Sequence, residues 1–201
     1  MLATIAAVGT AAALLTGPVT TAGAGVPIGV SVASVNGSGC PSGSATATVG
    51  EDGTVTISYS GFAARRGVGI PITEQRRNCQ TSLAVQVPAG YTYSVAGLQS
   101  TGSSALAAGA TALQNTNLYY QGQSATTALP HSFTGPTAGP WSTADSGADL
   151  AALGAAPCGS APNLNLNAEL RVAAGTSAAG SASSITIAST TVALVATPCG
   201  T

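Results

Sequence analysis

The stretch Leu-Asn-Leu-Asn-Ala-Glu-Leu-Arg-Val, residues 164–172, decides the fold class of this chain. Its apolar and polar residues alternate with a period of two. The apolar positions are Leu164, Leu166, Leu170 and Val172. The polar positions are Asn165, Asn167, Glu169 and Arg171. Because successive side chains of a strand point to opposite faces, this pattern predicts a strand with one buried face and one solvated face.

Shorter runs with the same period occur elsewhere, at residues 26–32, 55–59, 83–87 and 91–95. Turn-forming residues separate them: Asn36-Gly37, Glu51-Asp52-Gly53, Pro88-Ala89-Gly90, Gly135-Pro136 and Gly139-Pro140. Many short strands joined by frequent turns are typical of an antiparallel β-sandwich. The sequence therefore predicts an all-β protein with a single sandwich domain over residues 26–201.

Three segments depart from this simple pattern. Near the end of the chain the apolar residues move from odd positions (Ile185, Ile187) to even positions (Val192, Leu194), which predicts a bulge or bend between them. Residues 101–116 and 173–184 are rich in small residues, and we expect loops there or strands with weak faces. A single helical turn is expected within residues 149–153.

Four cysteines, Cys40, Cys79, Cys158 and Cys199, predict two disulfide bonds if the chain is exported. Three pairings of four cysteines are possible. Pairing of nearest neighbours closes loops of 39 and 41 residues by subtraction, and on the chain-entropy model each bond contributes about 4 kcal/mol. The chain has no CxxC spacing and one histidine, so we expect neither a metal site nor a cofactor.

The beginning of the chain predicts export. Residues 2–15 are apolar or small, and Ala22-Gly23-Ala24 supplies a small-x-small cleavage pattern. We therefore expect residues 1–24 to be a signal peptide and the mature protein to be secreted and extracellular. Since no second apolar run follows, we expect no membrane anchor in the mature chain.

The charge of the chain limits its partners. Charged residues are 5% of the sequence, and five arginines nearly cancel six acidic residues. This composition predicts no field of one sign that would attract a polyanion or an anionic membrane surface. Nucleic-acid binding is therefore not expected, and an extracellular glycan or protein is the expected partner.

Several local strings resemble one known family. They are Asn-Gly-Ser-Gly-Cys-Pro-Ser-Gly-Ser (36–44), Arg-Asn-Cys-Gln (77–80), Val-Pro-Ala-Gly-Tyr-Thr-Tyr (87–93), Tyr-Tyr-Gln-Gly-Gln (119–123), Phe-Thr-Gly-Pro (133–136) and Leu-Asn-Leu-Asn (164–167). In these strings the chain resembles domain-of-unknown-function family 4360, a family of secreted proteins from filamentous fungi and mycelial bacteria. The resemblance implies a secreted protein with two disulfide bonds.

The leading functional hypothesis is a non-catalytic extracellular protein that binds a cell-envelope polysaccharide or another protein. The polar stripe of Asn165, Asn167, Glu169 and Arg171 can form hydrogen bonds with sugar hydroxyls. The aromatic residues Trp141, Tyr119 and Tyr120 are candidates to stack on a pyranose ring.

Two alternative functions remain open. A polysaccharide hydrolase needs two carboxyl groups that face the sugar, and Glu169 is the candidate for one of them, with a second acid brought near by folding. A protease inhibitor or defence protein would act through an exposed loop, such as residues 61–78, which contains four of the five arginines. A serine hydrolase is disfavoured because His131 is the single histidine and no Gly-x-Ser-x-Gly string is present.

Overall fold

A computed structural model describes residues 26–50 and 53–200, and the expected signal peptide at 1–24 lies outside the described residues. Antiparallel strands make up most of this part of the chain. The strands are β1 (Gly29–Asn36), β2 (Ala45–Val49), β3 (Thr54–Tyr59), β4 (Ala63–Arg66), β5 (Arg76–Gln86), β6 (Tyr91–Leu106), β7 (Thr111–Tyr120), β8 (Thr126–Thr134), β9 (Thr137–Ser146), β10 (Leu164–Ala173) and β11 (Ser183–Pro198). Two short 3-10 helices are formed by Ile72–Gln75 and Gly147–Leu150.

The strands form two sheets that pack face to face. One sheet has the order β1-β5-β10-β7-β8, and the other has the order β2-β3-β11-β6-β9 with β4 also paired to β11. Apolar side chains from both sheets meet between them, for example Ile57 of β3 with the cluster that contains Leu83 and Leu164. The all-β antiparallel sandwich predicted from the sequence is therefore confirmed. None of the helices in the described residues is long and apolar enough to cross a membrane.

The strand β10 lies in the middle of the five-stranded sheet, between β5 and β7. Leu164, Leu166, Leu170 and Val172 are almost fully buried in the core. A strand flanked on both sides satisfies its backbone hydrogen bonds through its neighbours, so its apolar side chains can face the interior. The alternating stretch 164–172 thus forms the centre of the sheet.

The bulge predicted near the end of the chain is present. The register between β11 and β6 shifts between Ile187 and Ser189, and the apolar residues on both sides of this shift face the core. The small-residue segments are more ordered than a loop: residues 101–106 end β6, residues 111–116 begin β7, and the loop expected at 173–184 covers 174–182. Gly139-Pro140, expected as a turn, lies inside β9, an edge strand that tolerates proline.

Two disulfide bonds join nearest neighbours in the sequence. Cys40–Cys79 links the connection after β1 to β5, and both cysteines are almost fully buried. Cys158–Cys199 links the connection before β10 to the end of β11. Of the three possible pairings, the structure has the one that closes the two short loops.

Candidate functional site

The four polar residues predicted from β10 share one side of the five-stranded sheet. Asn165, Asn167, Glu169 and Arg171 alternate with core residues and therefore face the outside of the sheet, where Asn165 is only 6% exposed and the other three are more accessible. The register adds residues of β5 and β7 on both sides. We call the combined set the polar face: Arg76, Asn78, Gln80 and Ser82 of β5, Asn165, Asn167, Glu169 and Arg171 of β10, and Asn115, Asn117 and Tyr119 of β7.

Cross-strand pairing sets carboxamides side by side on the polar face. Asn167 lies opposite Asn117 of β7 and Gln80 of β5, and Asn165 lies opposite Tyr119. Gln80 and Asn117 could not be predicted as site residues, because the sequence of one strand does not show which strands lie beside it. Residues 111–120 carry no apolar–polar alternation that could have shown this strand, because its inward positions include the polar Gln114 and Thr116.

Hydrogen bonds hold several of these side chains in place. The Gln80 Nε2 donates to the Tyr119 hydroxyl at 3.1 Å, across the central strand. The Asn115 Nδ2 donates to Asn117 Oδ1 at 3.4 Å. The Tyr119 ring is half-buried, so it remains open on one side. An ordered carboxamide beside an aromatic ring loses little side-chain entropy when a ligand binds.

A depression continues the polar face at Arg171. Its volume is about 360 Å³. Its lining residues are Thr111, Ala112, Leu113, Ser132, Phe133, Thr134, Arg171 and Ala173. From Asn165 to Arg171 the central strand covers about 20 Å, so an extended ligand along β10 would meet carboxamides first and then hydroxyls, Leu113 and a guanidinium.

Glu169 is bound by two arginines. Arg76 donates to Glu169 Oε2 through Nε at 2.8 Å and also through its terminal nitrogen, and Arg171 donates to Oε1 at 2.8 Å. Partial burial alone would raise the pKa of Glu169, but the hydrogen bonds and charges of Arg76 and Arg171 outweigh it and lower the pKa below its ordinary value. Glu169 is therefore an ionised hydrogen-bond acceptor at neutral pH.

We expect Glu169→Gln to lower the free energy of unfolding at neutral pH because both ion pairs are lost. The loss should be only about 1 kcal/mol, since both guanidiniums are largely solvated. The folded-state pKa lies below the unfolded value of about 4.3, so the contribution is present above that pH and is lost as the pH falls through the folded-state pKa. Urea unfolding of both proteins from pH 7 down to acidic pH measures this. A difference in stability that stays constant over that range would contradict an ionised, paired Glu169.

Each of the other acids in the described residues has a partner of its own. Glu74 is ion-paired with Arg77, and Asp145 lies 3.0 Å from His131 Nε2. Asp149 accepts a hydrogen bond from the backbone N–H of Ser146 and so completes a capping box at the 3-10 helix Gly147–Leu150. A general acid must hold its proton near neutral pH, which a lowered pKa prevents at Glu169.

Tyr120 was wrongly predicted as a ligand-stacking residue. It is 1% exposed, and its ring forms an edge-to-face contact with Tyr93 at a centroid distance of 5.4 Å. Its hydroxyl donates to the Gly154 carbonyl at 3.0 Å, and burial raises its pKa to about 12. Neighbouring residues of a strand face opposite sides, so Tyr119 and Tyr120 cannot contribute to one face.

Trp141 also lies away from the polar face. It belongs to β9 of the six-stranded sheet, and its ring centroid is 5.2 Å from that of Phe133 on β8. The two rings pack against the core between the edges of the two sheets. The structure therefore leaves Tyr119 as the one predicted aromatic residue on the polar face.

Comparison with known proteins gives a family match. The family model described as Domain of unknown function (DUF4360) matches residues 27–199. An uncharacterized secreted protein of Arthroderma benhamiae is 27% identical over 120 residues, which are 60% of this chain and 49% of that protein. The match thus spans about half the length of this relative.

Two solved structures give weaker matches. TmCBM61 in complex with beta-1,4-galactotriose is matched with 12% identity and a TM-score of 0.30, over 86% of this chain and 89% of that chain. The enzymatically active domain of Bacteriophage CBA120 tailspike protein 4 is matched with 13% identity and a TM-score of 0.30, over 81% of this chain and 19% of that chain. A TM-score of 0.30 is too low for either structure to support an inference about this protein.

Proposed function

The chain belongs to the DUF4360 family and is a secreted protein, and from this premise we propose that it binds an extracellular polysaccharide on its polar face without cleaving it. The observation that carries the proposal is the row of carboxamides beside Tyr119. Sugar hydroxyls both donate and accept hydrogen bonds, and a carboxamide does the same. Few charges compete, since Glu169 is already paired with Arg76 and Arg171.

The shape of the polar face supports a polymer rather than a small molecule. The residues lie along three adjacent strands on the outside of a sheet, and the depression at Arg171 is open to solvent. An extended chain can contact all three strands, whereas a small ligand would leave most of its surface in water. The ion pairs of Glu169 with Arg76 and Arg171 support binding rather than general-acid catalysis.

Removing either the ring or the carboxamide should weaken binding. We expect Tyr119→Ala to weaken it about thirtyfold, equal to 2 kcal/mol, because a central aromatic contact is lost. Gln80→Ala should cost about fivefold, as expected for one hydrogen bond. Migration in native gels that contain xylan, galactan, laminarin or mannan measures the affinity, and reducing-end assays on the same polymers test for cleavage.

The matched control is Gln99→Ala, which removes an exposed carboxamide from β6 on the other sheet. It should leave binding unchanged. Retardation that is lost equally in Gln99→Ala, or retained in both Tyr119→Ala and Gln80→Ala, would contradict the polar face as the site. Release of new reducing ends that Glu169→Gln abolishes would instead establish a hydrolase.

A further inference from the structure

All five arginines of the chain lie at one end of the sandwich. Arg65 and Arg66 of β4 pair with the first residues of β11, and Arg76 of β5 lies opposite Arg171 of β10. Arg77 follows on β5. We call this region, with the connecting residues 67–75, the arginine end. The near balance of basic and acidic residues in the sequence predicted no electrostatic field of one sign. In the folded chain, however, all five arginines lie at the same end of the sandwich.

The charge of the arginine end is strongly positive for this protein. Glu74 and Glu169 are the acids ion-paired there, so five positive charges face two negative charges and leave a net +3. Since the whole chain carries −1, the remainder carries −4. An anionic surface would therefore attract this end of the sandwich.

Two of the arginines border a second cleft. Arg76, Arg171 and Arg77 are bound by glutamates, whereas Arg65 and Arg66 form no ion pair within the described part of the chain. They border a cleft of about 240 Å³ together with Ile70, Ala105, Ala182, Ser183 and Ser184. The Arg66 Nε is buried and lacks a hydrogen-bond partner among the described residues. Guanidiniums beside hydroxyls suit an oxyanion such as a phosphate.

The loop beside the cleft exposes large aliphatic side chains. Val68 is 85% exposed and Ile72 is 79% exposed, more than any other large apolar residue in the described ranges. Ile70, which also lines the cleft, is 38% exposed. Leaving such side chains in water costs free energy that burial in an apolar phase would recover.

We propose that the arginine end docks on an anionic phospholipid bilayer. Lipid phosphates bind at the arginine end, one of them in the cleft that Arg65 and Arg66 border, and Val68 and Ile72 enter the region between headgroups and acyl chains. Charge alone would also suit an acidic polysaccharide, but that ligand would leave both aliphatic side chains in water. A bilayer satisfies the charges and the apolar loop together.

The test is sedimentation with vesicles of phosphatidylcholine alone and vesicles rich in phosphatidylglycerol. Wild type should sediment with the anionic vesicles only, and less at high salt. Arg65→Gln/Arg66→Gln should weaken binding about 25-fold, since each arginine near an anionic surface contributes roughly fivefold. Val68→Asp/Ile72→Asp should weaken it at least tenfold because the apolar insertion is lost.

The control is Val49→Asp, which places the same change on an exposed valine of β2. Val49 pairs with Val55 of β3, and Val55 in turn pairs with Val192 of β11. Val192 lies nine residues along β11 from Ser183, which borders the cleft, so Val49 is about 30 Å from the cleft. It should bind vesicles like wild type. Near-ultraviolet circular dichroism checks that each variant is folded.

Two outcomes would overturn the proposal. One is vesicle binding that neither double variant weakens. The other is failure of wild type to sediment with anionic vesicles, including the case in which it binds soluble polygalacturonate through Arg65 and Arg66. Neither outcome bears on polysaccharide binding by the polar face, which Tyr119→Ala tests separately.

Discussion

Replacing Cys40 and Cys79 together by alanine lowers the free energy of unfolding by about 4 kcal/mol from the loss of the 39-residue loop constraint. A further loss of about 1–2 kcal/mol is expected because both sulfur atoms are buried in the core and leave a cavity. Such a loss is a large part of the usual stability of about 5–15 kcal/mol. Urea unfolding of the purified variant measures it.

The second disulfide supplies the matched control. Cys158→Ala/Cys199→Ala opens a loop of 41 residues, so the chain-entropy contribution is nearly the same, but Cys158 is exposed and no comparable cavity forms. We expect the buried pair to cost more than the surface pair. Mild reduction followed by alkylation should label Cys158 and Cys199 first. Equal losses in the two variants, or earlier labelling of Cys40, would show that burial is not the cause.

Substituting Gly102 by alanine is expected to destabilise the protein by about 3 kcal/mol. A Cβ atom at Gly102 would lie 1.9 Å from the carbonyl oxygen of Thr186 on β11 and 2.5 Å from the Trp141 ring. The carbonyl belongs to the neighbouring strand, so β6 and β11 would have to separate locally. Since Trp141 is the single tryptophan of the chain, its fluorescence during urea unfolding reports the change directly.

Gly97→Ala is the control on the same strand. A Cβ atom there would lie 3.7 Å from the carbonyl oxygen of Asp145, which is an ordinary van der Waals distance. Alanine allows the unfolded chain fewer conformations than glycine does. Gly97→Ala should therefore leave the free energy of unfolding unchanged or raise it by about 0.5 kcal/mol. Equal destabilisation by both substitutions would mean that loss of glycine flexibility, and not the close approach of β11 and Trp141, controls stability here.

Docking by the arginine end would leave the Tyr119 half of the polar face free, although Arg76 and Arg171 belong to both regions. β10 runs from Asn165, opposite Tyr119, to Arg171 at the arginine end. Tyr119 would then lie about 20 Å from the strand end that faces the bilayer. A polysaccharide could bind along the side of the sandwich while the end of the sandwich rests on lipid, so each activity can be removed by variants that leave the other intact.

Local patterns in the sequence were sufficient for the fold class. The period of two in residues 164–172 belongs to any strand, whatever its neighbours, so it correctly predicted which side chains of β10 face the core. The change of phase between Ile187 and Val192 likewise predicted the bulge, because a strand cannot change its buried face without one. The even number of cysteines predicted two disulfides, and their pairing came from the structure.

The candidate sites depended on contacts between distant residues. Gln80 and Tyr119 meet across β10 only because β5 and β7 are its neighbours, and strand order is not a local property of any one strand. For the same reason the sequence could not show that Trp141, a candidate to stack on a sugar ring, lies on an edge strand of the other sheet and away from the polar face.

Sequence alone thus predicted export and two disulfide bonds, and it determined that this is a β protein in which residues 164–172 form a strand with one polar side, because alternation and cysteine content are properties of short stretches of chain. The tertiary structure decided which side chains share a surface. It assembled the polar face from three strands and brought Arg65 and Arg171 to one end, although 106 positions separate them by subtraction. Charge balance along the chain could not show this, since an electrostatic field depends on distances in space and not on order in the sequence.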